Sequence, residues 1–356
     1  MSEHLRDGGH NVVLLVFREG GGSPRTDLRM DPGGSLTVMP WPTDAPTRLA
    51  DGTFFMRLLR SVRPDCVVGQ METTNWTMVL SWLSRVPVRV AWYHMLMRAV
   101  VIDGARRSLP LRVRRRAMVY RCATNLASVS RAGVDDLVEQ YGVDRDRCVV
   151  VPNGLSAPPL QGRDCGHLPS DAEGIRMVSV GRLVPTKDHA TLIRAIAELS
   201  AVRLDCVITI VGDGPQRSKL EALVDTLGLR DVVRFSGAVD HERTIDLMRE
   251  ANVYVHSALS DNNPLAIIEA MSLGLPIVTT AVGGVPEMIA HDREGLLIPP
   301  ADPFAMSTAL SELFADGARR RRIGEAARQR FLDEFEVSHW VERTSRFLLG
   351  EVERAS

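Results

Sequence analysis

Short runs of apolar, largely β-branched residues recur along the chain, each followed by a stretch of helical period, and few architectures accommodate that alternation. Such runs pair as parallel strands, with helices crossing over between them. In the first half they fall at residues 11–17, 65–68, 88–92, 126–129 and 148–151. In the second half they fall at 176–180, 206–211, 232–235, 253–256 and 277–279, with helical patterns at 188–199 and 216–227 and a charged helical tail from Pro303. Leu192, Ile193, Ile196 and Leu199 define the apolar face of the first of these helices. Between the two series, residues 153–174 carry Pro158, Pro159, Pro169, Gly154, Gly162, Gly166 and Gly174 without periodicity, the pattern of a linker.

A chain of 356 residues exceeds one ordinary core. The expected fold is α/β: two doubly wound, Rossmann-like domains facing each other across a cleft. Residues 1–155 form the first, 156–174 the linker and 175–335 the second, and 336–356 form a C-terminal helix that packs back on the first. The opening Leu5-Arg6-Asp7-Gly8-Gly9-His10 reads as the last turn of a helix stopped by glycine. A doubly wound domain starts instead with a central strand. The first domain is therefore expected to lack that strand, and a chain extended upstream is expected to be better formed.

Charge is nearly balanced, 43 Lys+Arg against 44 Asp+Glu, so no nucleic-acid partner is implied. Cys66, Cys122, Cys148, Cys165 and Cys206 are scattered and odd in number, which argues against a disulfide framework or a zinc site. No apolar run approaches the roughly 18 residues that cross a bilayer. The polar first nine residues do not resemble a secretory signal. The expected location is cytoplasmic, with peripheral contact at the inner face of the membrane.

The chemistry-bearing residues cluster after strands of the second half. Gly181-Arg182-Leu183-Val184-Pro185-Thr186-Lys187-Asp188 follows one strand, and its two cations can converge on a diphosphate, each contact worth roughly 1.5–3 kcal/mol. A solvated basic loop is the plainer reading. Gly212-Asp213-Gly214-Pro215 is a tight turn without full dinucleotide-binding spacing. The stretch from His256 to Met271 runs from a strand through Asp261, Asn262 and Asn263 into a helix opening near Pro264. A helix N-terminus offers N–H groups and partial positive charge to phosphate oxygens. Glu269 lies on an otherwise apolar helical face, so it needs a partner: ribose hydroxyls on one reading, a neighbouring arginine on the other. Gly283-Gly284-Val285-Pro286-Glu287 supplies a further turn, and 295–300 reads as structural.

On these residues the chain resembles glycosyltransferase family 4, of the GT-B fold. The second half carries, in order, G-R-L-x-x-x-K-D, V-G-x-G-P, F-x-G, P-L-x-x-x-E-A-M-x-x-G-x-P and G-G-x-P-E. The first half matches more loosely through Gly9-His10-Asn11-Val12, Arg63-Pro64-Asp65, Val129-Ser130 and Val151-Pro152-Asn153-Gly154. The resemblance implies a retaining, metal-independent hexosyltransferase with a UDP- or GDP-linked sugar as donor substrate, no cofactor, and a saccharide or lipid-linked acceptor. Its implied setting is cell-surface polysaccharide or glycolipid assembly. Arg182 and Lys187 would hold the diphosphate, with Gly181 and Gly212 close by. Asp261 would meet the transferred sugar, in place of the family's usual Glu. Glu269 would bind the ribose, and the backbone at Asn263, Pro264 and Leu265 the phosphates. Ser236 and Gly237 would lie under the base, and His94 near the reacting sugar, though a lone histidine beside Trp92 and Tyr93 also reads as a core residue. The family's glycine-rich loop after a first strand has no counterpart here, since Gly20-Gly21-Gly22 follows the next strand. The arginines from Arg106 to Arg121 would favour anionic headgroups by about 1 kcal/mol each near the surface; a solvated helix face is the alternative. Two other functions compete: a non-catalytic or fragmentary paralogue that binds nucleotide or a partner, and a nucleotide-sugar epimerase, against which G-R-L-x-x-x-K and D-x7-E speak.

Overall fold

The computed structural model describes residues 1–16, 28, 31–43, 48–104, 109–158, 174–200 and 206–350. Gly20-Gly21-Gly22, Phe17, Arg106, Arg107 and most of the linker lie outside them. The chain divides into two units. One comprises Met1–His94, Arg107–Val151 and Val341–Ser356; the other comprises Met95–Arg106 and Pro152–Trp340.

In the first unit the strands are β1 (Asn11–Val16), β2 (Ser35–Pro40), β3 (Cys66–Gly69), β4 (Val88–Tyr93), β5 (Asn125–Ser128) and β6 (Cys148–Val150). All pair in parallel, but in two sheets: β1 with β2, and β3-β4-β5-β6 in sequence order. Among the described residues, β1 and β3 each pair on one side only, and no strand joins them. The apolar run at 11–17, expected as a strand of a doubly wound sheet, is a strand as far as it is described, to Val16, but its cover is incomplete. Leu14 is 40% exposed and Val38, on β2, 56%. The short helix beside them, Ser2–Asp7, ends at Gly8 as expected but buries no residue. The four-stranded sheet is well covered, with Val90, Ala91, Leu126 and Ala127 wholly buried.

The second unit contains β7 (Ile175–Val180), β8 (Cys206–Val211), β9 (Val233–Gly237), β10 (Val253–His256), β11 (Ile277–Thr280) and β12 (Gly295–Ile298). They form one parallel sheet in the order β12-β11-β10-β7-β8-β9. The chain winds outward one way through β7, β8 and β9, then returns beside β7 as β10 and winds the other way. The switch point lies between β7 and β10, and open α/β sheets bind ligands at the carboxyl ends of the strands flanking it. The strand β12, read as a merely structural stretch in the sequence, completes the edge. Helices cover both faces, because both faces are apolar: Met177, Ile208, Ile210, Val253 and Val255 turn to one core, and Val178, Tyr254 and Ile277 to the other.

Candidate functional site

Two loops leave the switch point, one after β7 and one after β10, and each carries residues singled out in the sequence. Their backbones are tied together. Leu259 N–H donates to the Thr186 carbonyl at 2.8 Å, and the Ser257 hydroxyl to the Lys187 carbonyl at 2.8 Å. The ties bring Lys187 Nζ onto Asp261 Oδ2 as an ion pair, both side chains largely buried. His256 Nε2 also meets Asp261 Oδ2, at 3.0 Å, and the Asn262 N–H meets Oδ1 at 3.0 Å. Burial alone would raise the Asp261 carboxyl. The His256 hydrogen bond and the Lys187 charge outweigh it and hold the group ionised, below the usual aspartate range.

Glycines make this packing feasible. Gly212 has φ +132°, and a Cβ there would overlap the carbonyl oxygen of Gly181. Gly212 N–H instead donates to the Gly237 carbonyl at 2.9 Å, and Gly181 N–H to Val211 at 3.0 Å. Gly283 (φ +52°) lies against the Asp261 carbonyl in the same way, and Gly284 N–H donates to that carbonyl at 3.1 Å. The G-x-G turn after β8 thus seats the first loop, and the glycine pair after β11 seats the Asp261 backbone.

The helix Leu265–Ser272 starts beside Asp261, with Pro264 as its cap. The preceding loop is fixed from Asn153: its N–H donates to Asn263 Oδ1 at 2.8 Å and its amide to the Asn263 carbonyl at 2.9 Å. Asn262, Asn263 and the helix face carrying Ile267 and Ile268 are buried, while Leu265 is exposed. Glu269 is nearly covered, and its nearest ionic partner is no arginine: His241 Nδ1 stands 3.6 Å from Oε1. Burial raises its carboxyl, which His241 only partly offsets. The wholly buried Tyr254 hydroxyl feels the charge of both Glu269 and Asp261, and burial raises it well above the usual tyrosine range.

Arg182, two residues past the end of β7, is exposed. Ser236 and Gly237 end β9; the Ser236 hydroxyl donates to the Gly237 carbonyl at 3.0 Å, and the Arg217 guanidinium covers the Phe235 ring at 5.1 Å. Arg182, Lys187, Asp261, Glu269 and the glycine turns thus share one unit and one sheet end. His94 belongs to the first unit. It follows β4, stacks on Trp92 with centroids 6.2 Å apart, and burial pushes its imidazole down to about 4, so it is neutral at pH 7.

Sequence reasoning gave no role to Asp103, Asn153, His241, Tyr254 or His256. Asp103 Oδ1 accepts the Thr186 N–H at 3.0 Å and its hydroxyl as well, holding the residue before Lys187. That bond spans 83 positions and leaves no local signal. His256 did leave one: a histidine closing a β-branched strand just before the D-x7-E segment. The basic helix Leu109–Cys122 exposes Arg112, Arg114, Arg115 and Arg121 beside Leu111 and Met118. Arg116 is turned inward instead, its Nε donating to Tyr120 Oη at 3.1 Å.

Comparison with known proteins adds the following. The model for glycosyl transferases group 1 matches residues 166–330, and that for Glycosyltransferase Family 4 matches residues 1–157. A D-inositol 3-phosphate glycosyltransferase of Streptomyces avermitilis is 31% identical over 246 residues, 64% of this chain and 52% of that protein. An MMP alpha-(1->4)-mannosyltransferase of Mycolicibacterium hassiacum is 29% identical over 222 residues, 61% of this chain and 52% of that protein. The chain thus spans about half the length of these curated relatives. Among solved structures, Anabaena Alr3699/HepE in complex with UDP superposes with a TM-score of 0.73 at 17% identity, over 90% of this chain and 87% of that one. Sucrose-phosphate synthase from Thermosynechococcus elongatus superposes at 0.77 and 21% identity, over 98% and 91%. At these identities the structural likeness speaks to fold alone.

Proposed function

The chain belongs to the GT-B glycosyltransferases of family 4 type, and on that premise we propose that it transfers a glycosyl group, with retention and without a metal, from a UDP- or GDP-linked sugar. The acceptor is a saccharide or a lipid-linked saccharide. The observation that carries this reading is the Lys187–Asp261 pair at the switch point, beside the N-terminus of the helix that holds Glu269.

In the reaction, the bond from the anomeric carbon to a diphosphate oxygen breaks as the bond to an acceptor oxygen forms, and the acceptor's hydroxyl proton passes to the departing diphosphate. Negative charge accumulates on the leaving diphosphate, and the protein must meet it where it develops. Arg182 and Lys187 supply two full charges. The N–H groups at the start of Leu265–Ser272 supply partial ones, since the first turn of a helix has no internal acceptors for them. Glu269 accepts hydrogen bonds from the vicinal ribose hydroxyls, and Asp261 accepts one from the sugar. Ser236 and Gly237 face the base, and His94 serves the reacting sugar as a neutral imidazole. The exposed Arg112, Arg114, Arg115 and Arg121, interleaved with Leu111 and Met118, suit an anionic membrane surface presenting a lipid-linked acceptor. Among the described residues no helix is long and apolar enough to cross a membrane.

Calorimetric binding of UDP and GDP tests the donor site. Replacing Arg182 or Lys187 by Ala should weaken the diphosphate that binds by about tenfold each, and the double variant by about a hundredfold, with uridine and guanosine unaffected. Equal diphosphate affinity in the wild type and the double variant would remove the site.

A further inference from the structure

We infer that His256 is a positioning residue for the transfer reaction, one that holds the Asp261 carboxylate in the orientation that leaves an acceptor position for a hydroxyl of the donor sugar. The inference rests on the role given to Asp261 above, and it starts from a count. An ionised carboxylate offers about four lone-pair positions. Among the described residues three are taken: Oδ1 accepts the Asn262 N–H, and Oδ2 accepts both Lys187 Nζ and His256 Nε2. On that count Oδ2 is full, and Oδ1 keeps one position.

The two donors on Oδ2 differ in kind. Lys187 is an ammonium on a flexible four-carbon stem, and a diphosphate competes for it. A carboxylate held by Lys187 alone would follow the ammonium toward the phosphates. His256 is 3% exposed and is the last residue of β10, a strand paired on both sides. Its ring has nowhere to go, so it keeps Oδ2 in place when the lysine is shared.

The other side of the ring is engaged as well. Tyr254 and His256 alternate on the strand and therefore share a face. Their rings stack with centroids 6.3 Å apart and planes 21° apart, and Tyr254 Oη lies 3.4 Å from His256 Nδ1. Burial and the Lys187 charge keep the imidazole neutral against the pull of Asp261, and burial keeps the tyrosine hydroxyl protonated. Ionised Asp261 can only accept, so the ring proton of the neutral imidazole lies on Nε2, and Nδ1 is left to accept from the Tyr254 hydroxyl. The carboxylate selects the tautomer, and the buried tyrosine satisfies the other ring nitrogen.

The test uses the full chain with UDP-glucose and GDP-mannose as probes, read as kcat and KM for whichever turns over, alongside calorimetric binding of the matching diphosphate. His256→Leu should lower kcat by about tenfold to a hundredfold, in line with a displacement of about 1 Å, and leave diphosphate affinity within about twofold. His256→Gln, whose amide nitrogen lies as many bonds from the backbone as Nε2, should restore most of the loss. In an Asp261→Asn background, His256→Leu should cost less than about twofold further. Equal losses in both backgrounds, or no rescue by Gln at an unchanged melting temperature, would overturn the inference and leave the donor site standing. Wild-type kcat in Asp261→Asn alone would remove the role of Asp261, and the inference with it. Long-range proton–nitrogen spectra of the UDP-saturated protein read the same bond without turnover. The Nε2–H tautomer of His256 is the expected result, and an Nδ1–H tautomer would overturn the inference.

Discussion

Among the described residues, the six strands of the second unit hydrogen-bond into one sheet, whereas the six of the first divide into a pair and a quartet. Both sets are parallel, and both come from the same kind of apolar, β-branched run. The difference is where the runs find partners. Met177 and Val178 on β7 turn to opposite faces and are buried on both, and the strand is paired on both sides. Val13 and Leu14 on β1 are partly exposed, and among the described residues the strand is paired on one side. An apolar strand is only as stable as the cover and the ladder that its neighbours supply. The contrast teaches that composition alone does not grade strands: Asn11–Val16 and Ile175–Val180 read alike and are held very differently.

Hydrogen exchange should show the largest effect. Amides in β7 and β8 should exchange at least about a thousandfold more slowly than those in β1, because local opening free energies follow buried contacts and paired backbone. Protection across Asn11–Val16 equal to that across Ile175–Val180 would break the comparison.

Glycine substitutions sharpen it. Gly212→Ala puts a methyl group on the Gly181 carbonyl at a φ that L-residues avoid, so it should cost about 3 kcal/mol or more of unfolding free energy. Gly142→Ala, which ends the helix Arg131–Tyr141 at φ +63° with open space around it, should cost only about 1–2 kcal/mol. Denaturant titration of the two variants separates a glycine needed for close packing from one needed only for its backbone angle. Equal costs would show that the loop after β8 can yield.

The smallest effect lies within the second unit, between its two carboxylates. Asp261 has its folded pKa depressed, so its contribution is present above the ordinary value of 3.8 and is lost as the pH falls through the folded one. Glu269 has its folded pKa raised, so ionisation costs stability at neutral pH, and the cost vanishes below the ordinary value of 4.5. Glu269→Gln should therefore raise the melting temperature by a few degrees at pH 7, with the gain fading toward pH 4. Asp261→Asn should lower the melting temperature at pH 7, with the deficit shrinking at pH below 3.8. A gain from both variants, or a loss from both, would show that burial dominates the two groups alike.

Much of the second unit was legible in advance. The runs at 206–211 and 253–256 match β8 and β10 residue for residue, and the loops carrying Arg182, Lys187 and Asp261 and the helix carrying Glu269 follow the strand ends read from the sequence. The resemblance to a family supplied roles for those residues that spacing alone did not. Local pattern was enough for the elements because strand and helix period, glycine and proline act over a few residues.

The partners of those residues were not legible. Asp261 could be read as a carboxylate for a sugar, but nothing near it in the chain announced that Lys187, 74 positions away, would sit on its Oδ2. The partner His241 for Glu269, the clasp of Asp103 on Thr186 and that of Asn153 on Asn263 all span dozens of positions, as does the split of the first unit's described strands into two sheets. Sequence by itself determined which segments are strands and helices and which polar residues stand at strand ends, because those choices are made by each residue's own geometry and its near neighbours. Only the tertiary structure decided which strands are covered on both faces and which charges meet, because burial and ion pairing depend on chain segments brought together by the sheet order, a quantity no local pattern encodes.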